Sequence, residues 1–254
     1  MRVTPPRFSE PRPGGGTIAY HARTGKPPTV VWLGGFLSDM EGTKATALDA
    51  AMARMGQSFL RFDYAGHGSS PGSLADASIG GWLGDALFVL DQLTDGPLIL
   101  VGSSMGAWIA LLALSARPER IAGLALIAPA PDFTEKLLWP KLSLAMQERI
   151  EAGACEALPA TDERGAFPLT KSFFEDGARH NILDAPIPFA GPVRILHGMM
   201  DEDVPWTHAL AVAKAIASPD LTLTLVKQGD HRLSTPADLA RLQACIAEII
   251  SAIP

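Results

Sequence analysis

Cysteine is scarce: Cys155 and Cys245 are the two in 254 residues, far apart and at no metal-ligand spacing. That leaves no disulfide framework and no thiolate metal site, and the pair reads as reduced, partly buried thiols of a cytosolic protein. Charge is sparse as well. Only 19% of residues are Asp, Glu, Lys or Arg, the formal net charge is −6, and no segment gathers Lys or Arg without acidic neighbours. Nothing therefore invites nucleic acid or an anionic membrane surface. Long apolar runs are missing too. The longest, 107–114, stops far short of the roughly 20 residues of a membrane-spanning helix, so no stable membrane insertion is expected. The opening stretch MRVTPPRFSEPRPGGG lacks the apolar centre of a signal peptide, and its prolines forbid a transit-peptide helix. Residues 1–16 are expected to form an extended surface arm, and a cytoplasmic location is the expectation.

Apolar residues make up 47% of the chain, ample for the core of one large domain that carries an insertion. Short, continuous apolar runs at 29–33, 58–62, 97–101, 122–128 and 193–197 are bounded by Gly or Pro and alternate with helical patterns. Such runs are strands of a mostly parallel sheet, buried on both faces by helices. Leu221–Val226 instead alternates Leu and Thr, which places it nearer the sheet edge. Leu48, Met52 and Met55 share a helix face that Gly56 ends. Thr235, Pro236 and Asp238 open a helix whose apolar stripe is Leu239, Leu242, Ile246 and Ile249. The alternation breaks at 131–188, where helical stretches occur without a convincing strand. This segment is expected to be a helical cap or lid over the carboxyl edge of the sheet, interrupting a core of 17–130 and 189–254.

G-x-S-x-G occurs twice, around Ser70 and around Ser104. A nucleophile on this motif needs a strand running through a sharp turn into a helix, and the next residue must offer its backbone N–H to an oxyanion. Ser70 is followed by Pro71, which has no N–H. Ser104 follows the buried strand ending at Val101 and precedes an apolar helix that stops before Pro118. Its bland alternative is a helix N-cap serine. Serine at its ordinary pKa is a poor nucleophile and needs a base whose tautomer a third group fixes. His231, in the loop after the last strand, is the candidate base, while His197 reads as a core imidazole, His208 as part of a helix start, His67 as a turn residue and His180 as part of the insertion. After the strand at 193–197 stand Asp201, Glu202 and Asp203. Asp201 is preferred as the acid, because Asp203 is explained by the helix that Pro205 starts; Asp132 and Asp230 rank lower. Backbone N–H groups of Phe36, after Gly34 and Gly35, and of Met105 are the candidate oxyanion hole.

With these residues in view the chain resembles the α/β-hydrolase superfamily, and within it the abhydrolase-type mitochondrial palmitoyl-protein thioesterases, also described as esterases of the acyl-glucuronide of mycophenolic acid. The likeness spans 31–250 and is carried by GGF with EGTKA, RFDYAGHGSS, ILVGSSMGAW, PIPFAGPVRILHGMMDEDVPW and GDHR. It implies an α/β-hydrolase fold, Ser104, Asp201 and His231 as the triad, and a structural role for Asp63 in holding a turn near the site. The insertion carries least of the likeness, apart from Ser172-Phe173-Phe174 and the PIP that follows.

The expected activity is hydrolysis of a carboxylic ester or thioester, in a small-molecule or acylated substrate, through an acyl-enzyme. No metal and no cofactor are expected. Gly35, Ser103, Trp139, Phe173 and Phe174 are the candidate substrate-pocket residues, with Leu137, Leu138 and Leu142 nearby; the plainer account of the apolar ones is that they pack a lid onto the core. A small peptidase and a non-catalytic ligand-binding scaffold are the rival readings. Acyl-chain length, ester or thioester preference and oligomeric state are not encoded in these motifs.

Overall fold

The structure, a computed structural model, describes residues 7–9, 11–12, 15–158 and 167–253. Its central sheet is built from β1 (Arg7–Phe8), β2 (Ala19–Arg23), β3 (Lys26–Leu33), β4 (Gln57–Phe62), β5 (Leu98–Ser103) and β6 (Ile121–Ile127). After β7 (Glu156–Leu158) and β8 (Phe167–Leu169), which lie elsewhere, β9 (Val193–Gly198) and β10 (Leu221–Val226) complete it. The order across the sheet is β1-β2-β4-β3-β5-β6-β9-β10, with β2 antiparallel to both neighbours and the rest parallel. The order reverses at β3, so the carboxyl ends of β3 and β5 open the crevice in which open α/β sheets bind ligands. This is the α/β-hydrolase fold.

Register carries the two-faced burial directly. Val31 pairs with Leu100 and Leu100 with Leu124, and all three join one core layer. Their neighbours Trp32, Val101 and Ala125 pair likewise and join the other. The first layer is covered by α2 (Ile79–Gln92), α3 (Met105–Ala116) and α6 (Trp206–Ala215), the second by α1 (Thr43–Met55) and α7 (Pro236–Ala252). Each fully buried Leu, Ile or Val contributes about 1.5–3 kcal/mol relative to exposure. Helix ends follow the sequence signals. Gly56 closes α1 in the left-handed conformation, and Thr235 with Asp238 forms a reciprocal capping box on α7. The α7 stripe presses Ile249 onto Gly123, where an added Cβ would lie 2.4 Å from the Ile249 side chain.

Several elements differ from the sequence reading. Strand β2 has no run of apolar residues; it is specified by pairing with β4 rather than by pattern. Met55 ends 39% exposed, so α1 is buried through Ala45, Leu48, Ala51 and Met52 instead. Cys155 is exposed, and both cysteines are free. The segment 131–188 holds α4 (Leu144–Glu151) and α5 (Lys171–Arg179), but also an antiparallel pair, β7 with β8. Three residues per strand, with Pro168 in one, are too short to leave a period-two signal. Of the arm at 1–16, residues 1–6, 10, 13 and 14 lie outside the described residues.

Side chains bolt the insertion to the core. Asp132, fully buried at the start of the insertion, ties that segment's two ends together by accepting the backbone N–H groups of Ile182 (2.8 Å) and Leu183 (3.1 Å). Asp176 on α5 accepts Gly80 N–H at the start of α2 (2.8 Å), and Trp108 of α3 donates Nε1–H to the His180 carbonyl (3.0 Å). The arm is fastened in the same way. Arg12 pairs with Asp85, whose side chain is wholly buried on α2 and also accepts Ala65 N–H (2.8 Å). A buried carboxylate stripped of its cation keeps its desolvation cost. Arg12→Ala is therefore expected to cost about 3 kcal/mol, read as a lower urea midpoint at unchanged slope; a midpoint within error of the parent would show that the arm adds nothing.

Candidate active site

The turn after β5 is dictated by three small residues. Ser104 adopts φ 55° and ψ −117°, a left-handed conformation that a non-glycine residue tolerates only when its surroundings enforce it. They do so by crowding. A Cβ on Gly106 would lie 2.1 Å from the Leu33 carbonyl oxygen, and one on Gly102 would lie 2.5 Å from the Gly106 oxygen. The first turn of α3 is thereby pressed against the end of β3, and Ser104 N–H is tied to the Ile127 carbonyl (2.8 Å). The side chain stands at the positive end of α3.

From Ser104 a hydrogen-bonded chain leads outward. Its Oγ lies 3.1 Å from His231 Nε2, and His231 Nδ1 lies 2.7 Å from Asp201 Oδ2. The two loops that bring these residues together also touch backbone to backbone, since a Cβ on Gly198 would meet the Gly229 oxygen at 2.3 Å. Asp230 closes the histidine loop by accepting Leu233 N–H (2.9 Å), which accounts for that carboxylate. Lys44 of α1 donates to the Arg232 carbonyl and holds the loop from outside.

The Asp201 carboxylate is wholly buried. Burial works to raise its pKa, yet the bond and charge of His231, Val204 N–H and nearby His197 outweigh it and hold the carboxyl below its ordinary range. Oδ1 accepts Asp203 N–H (2.9 Å) and Val204 N–H (2.8 Å), leaving Oδ2 for the imidazole. Asp203 is exposed, and its carboxylate comes within 4.8 Å of the same atoms without a hydrogen bond to His231 among the described residues. His197, read from the sequence as a core imidazole, has a second part to play here. It is fully buried, donates Nε2–H to the Val204 carbonyl (2.9 Å) and sits 3.4 Å from Asp201 Oδ2. Burial lowers its pKa and favours the neutral ring. The signal available for it was its spacing of four from Asp201.

Beside Ser104 runs the loop 34–38. A Cβ on Gly35 would lie 3.5 Å from the Ser104 Cβ and 3.1 Å from the Ser103 carbonyl, so this loop packs directly on the Ser104 turn. The Phe36 ring leans edge-on against Phe167 at 4.6 Å and also meets Phe133 and Trp82. Phe173 is 2% exposed within this aromatic cluster, whereas Trp139 and Phe174 are half-buried and stacked edge to face at 4.8 Å. Phe133 and Phe167 belong to the cluster but carried no motif.

Behind this loop, Asp63 occupies the turn after β4. It accepts Met40 N–H (2.6 Å) and Ser69 N–H (2.8 Å), and its carbonyl accepts Ser70 Oγ–H (2.6 Å). Ser70 is thus a buried bracket, joined also to Ala19 N–H (2.8 Å). Burial pushes the Asp63 carboxyl up to about 6. A folded pKa above the unfolded value stabilises the protein below the unfolded value and is lost as pH rises through the folded one. Urea unfolding between pH 4 and 7 is expected to show wild type losing stability relative to Asp63→Asn as pH rises to about 6, then holding level. A gap independent of pH would exclude the buried proton.

Comparison with known proteins places the chain among hydrolases. A family model described as Hydrolase_4, serine aminopeptidase S33, matches residues 28–162. The chain is 42% identical to mitochondrial palmitoyl-protein thioesterase ABHD10 of Rattus norvegicus, over 94% of this chain and 80% of the relative. The solved structure of mouse α/β hydrolase domain-containing protein 10 superposes with TM-score 0.89 at 40% identity, covering 98% of this chain and 99% of the other. A hydrolase structure from Agrobacterium vitis S4 does so with TM-score 0.89 at 38% identity, covering 96% and 97%. The rat protein and four mammalian counterparts are all named mitochondrial, which overturns the cytoplasmic expectation. An address is read from a targeting segment by a receptor, so neither cysteine usage nor the fold could supply it.

Proposed function

This chain belongs to the α/β-hydrolase family of the ABHD10 palmitoyl-protein thioesterases, and on that premise we propose that it hydrolyses acyl esters or thioesters through an acyl-enzyme on Ser104. That it is a serine hydrolase of esterase or thioesterase type follows from the family. The assignment of roles rests on one observation, the unbroken chain of hydrogen bonds from the Ser104 hydroxyl through both nitrogens of His231 to a buried carboxylate.

His231 Nε2 takes the serine proton as Oγ attacks the acyl carbonyl. Asp201 keeps the proton on Nδ1 and stabilises the imidazolium as it forms; its depressed pKa keeps it ionised throughout. The Phe36 and Met105 N–H groups receive the oxyanion, with the positive end of α3 beneath. His231 then returns its proton to the departing alkoxide or thiolate and draws one from water to release the acid. The insertion at 131–188 supplies the lid, with Trp139, Phe173 and Phe174 on its apolar side. No step calls on a metal.

Fluorophosphonate labelling and a panel of matched acyl esters, thioesters and amides test this reading. Ser104→Ala is expected to abolish both labelling and turnover. Asp201→Asn is expected to lower kcat by about 10⁴-fold because the wrong tautomer is favoured, whereas Asp203→Asn stays within about threefold because a surface charge near the site exerts only a screened effect. Equal losses at 201 and 203 would reassign the acid. Turnover of amides in preference to esters and thioesters would favour a peptidase instead.

A further inference from the structure

The oxyanion loop is held in a conformation that it does not adopt unaided. Ser38 N–H and Ser38 Oγ–H both reach the Gly35 carbonyl (3.1 and 2.8 Å), closing a tight turn with Phe36 and Leu37 at its centre. Leu37 therefore sits at φ 54°, where a branched side chain is strained. The Phe36 N–H lies in the same peptide plane as the Gly35 carbonyl that Ser38 holds, and the next peptide of the turn, between Phe36 and Leu37, has its N–H satisfied from outside the loop. Leu37 N–H donates to His67 Nε2 at 3.2 Å.

His67 comes from the neighbouring turn, which is rigid for reasons already in view. Asp63 caps it from within, Gly68 packs so tightly on Asp63 that an added Cβ would lie 2.1 Å from the carboxylate, and His67 N–H is bound to the Tyr64 carbonyl (2.9 Å). The imidazole is 3% exposed and wedged edge-on against Trp82 and Tyr64. Its Nδ1 faces the Ala65 carbonyl at 3.3 Å, a contact that only Nδ1–H satisfies, so Nε2 is left as the acceptor. The same turn grips the loop a second time through Asp63 and Met40 N–H. The two grips fall on the strained residue and three residues beyond it.

We infer that His67 is a positioning residue for ester or thioester hydrolysis: its neutral Nε2 accepts Leu37 N–H and so fixes the Phe36 N–H toward the oxyanion. The inference rests on the role proposed above for Phe36. It assigns to His67 neither proton transfer nor contact with substrate. The consequence is selective. Loss of the acceptor frees the turn to relax, which weakens the transition state while leaving ground-state binding of the acyl group largely as it was.

Two substitutions separate the acceptor from the ring. His67→Phe keeps the edge-on packing against Trp82 and removes the acceptor, whereas His67→Gln gives up the ring and restores an oxygen near the Nε2 position. With the best acyl substrate of the wild type, His67→Phe is expected to lower kcat about tenfold or more at a KM within about twofold. His67→Gln is expected to recover to within about threefold of wild type. Affinity for an alkyl boronic acid, which becomes a tetrahedral anion on the serine, should fall in parallel with kcat. Wild-type kcat in His67→Phe, or a loss in His67→Gln as deep as in His67→Phe, would overturn the inference. A two-bond ¹H–¹⁵N spectrum of wild type decides the matter even where a variant does not fold: a ring carrying its proton on Nδ1 supports the role, and one carrying it on Nε2 rules it out. Wild type that neither labels at Ser104 nor turns over esters or thioesters would defeat the broader reading, and this one with it, before any His67 variant is made.

Discussion

The contact on which this molecule depends is one of backbone against backbone. The first turn of α3 lies directly on the carbonyls of Leu33 and Gly34, so close that position 106 has no room for a Cβ. That approach sets the distance between two loops from two strands, and with it the relation between the Ser104 hydroxyl and the Phe36 backbone. It also forces the reversal at Ser104, whose positive φ is the cost of running straight from strand to helix. A hydrophobic core of ordinary strength can hold such strain because both faces of the sheet are packed around it. The same device recurs where Gly198 meets Gly229, which brings the acid loop against the histidine loop. Glycine is required at these places for closeness, not for flexibility.

Charge in the site is arranged so that one ion is kept and its neighbour is not. Asp201 would be driven toward its neutral form by burial alone, and the His231 imidazole, the Val204 N–H and nearby His197 together reverse that. His197, four residues earlier and equally enclosed, goes the other way and stays neutral while it bonds the Val204 carbonyl. A neutral ring beside a buried carboxylate fills space and orients the loop without competing for the proton that His231 must carry. The unpartnered Nδ1 of His197 is buried, a modest cost accepted at the point where the acid loop must be held.

Much of this was legible in the sequence, and the parts that were not share a cause. Strands β3 to β6 and β9 announce themselves because burial on both faces demands continuous apolar residues. Ser104 could be told from Ser70 by a single chemical fact, the missing N–H of Pro71. His231 and Asp201 followed from chain order and from the segments that resemble the family. Strand β2, the β7–β8 pair and the exposure of Met55 were not legible, because pairing and packing partners distant in sequence decide them. His67 was passed over as a turn residue for the same reason: its partner, Leu37, is an ordinary leucine whose strained φ leaves no mark on the sequence. The resemblance already pointed to mitochondrial proteins, and the cytoplasmic expectation prevailed over it only because the opening stretch lacks a transit-peptide pattern; the physics of a fold contains no address.

One residue joins the chemistry to the lid. Phe36 follows Gly35, which packs against Ser104, while the Phe36 ring packs on Phe133 and Phe167 from the insertion. Phe173 fills the space behind them, and α5, which carries it, is fixed to α2 and α3 through Asp176 and His180. The wall nearest the oxyanion loop is therefore part of the core rather than a flap, and its aromatic rings are already in contact with one another. An acyl chain cannot reach the serine across that wall without parting packed rings, which costs dispersion energy that the chain must return. The packing of that wall is separable from the hydrogen bonds that hold the loop 34–38 in place.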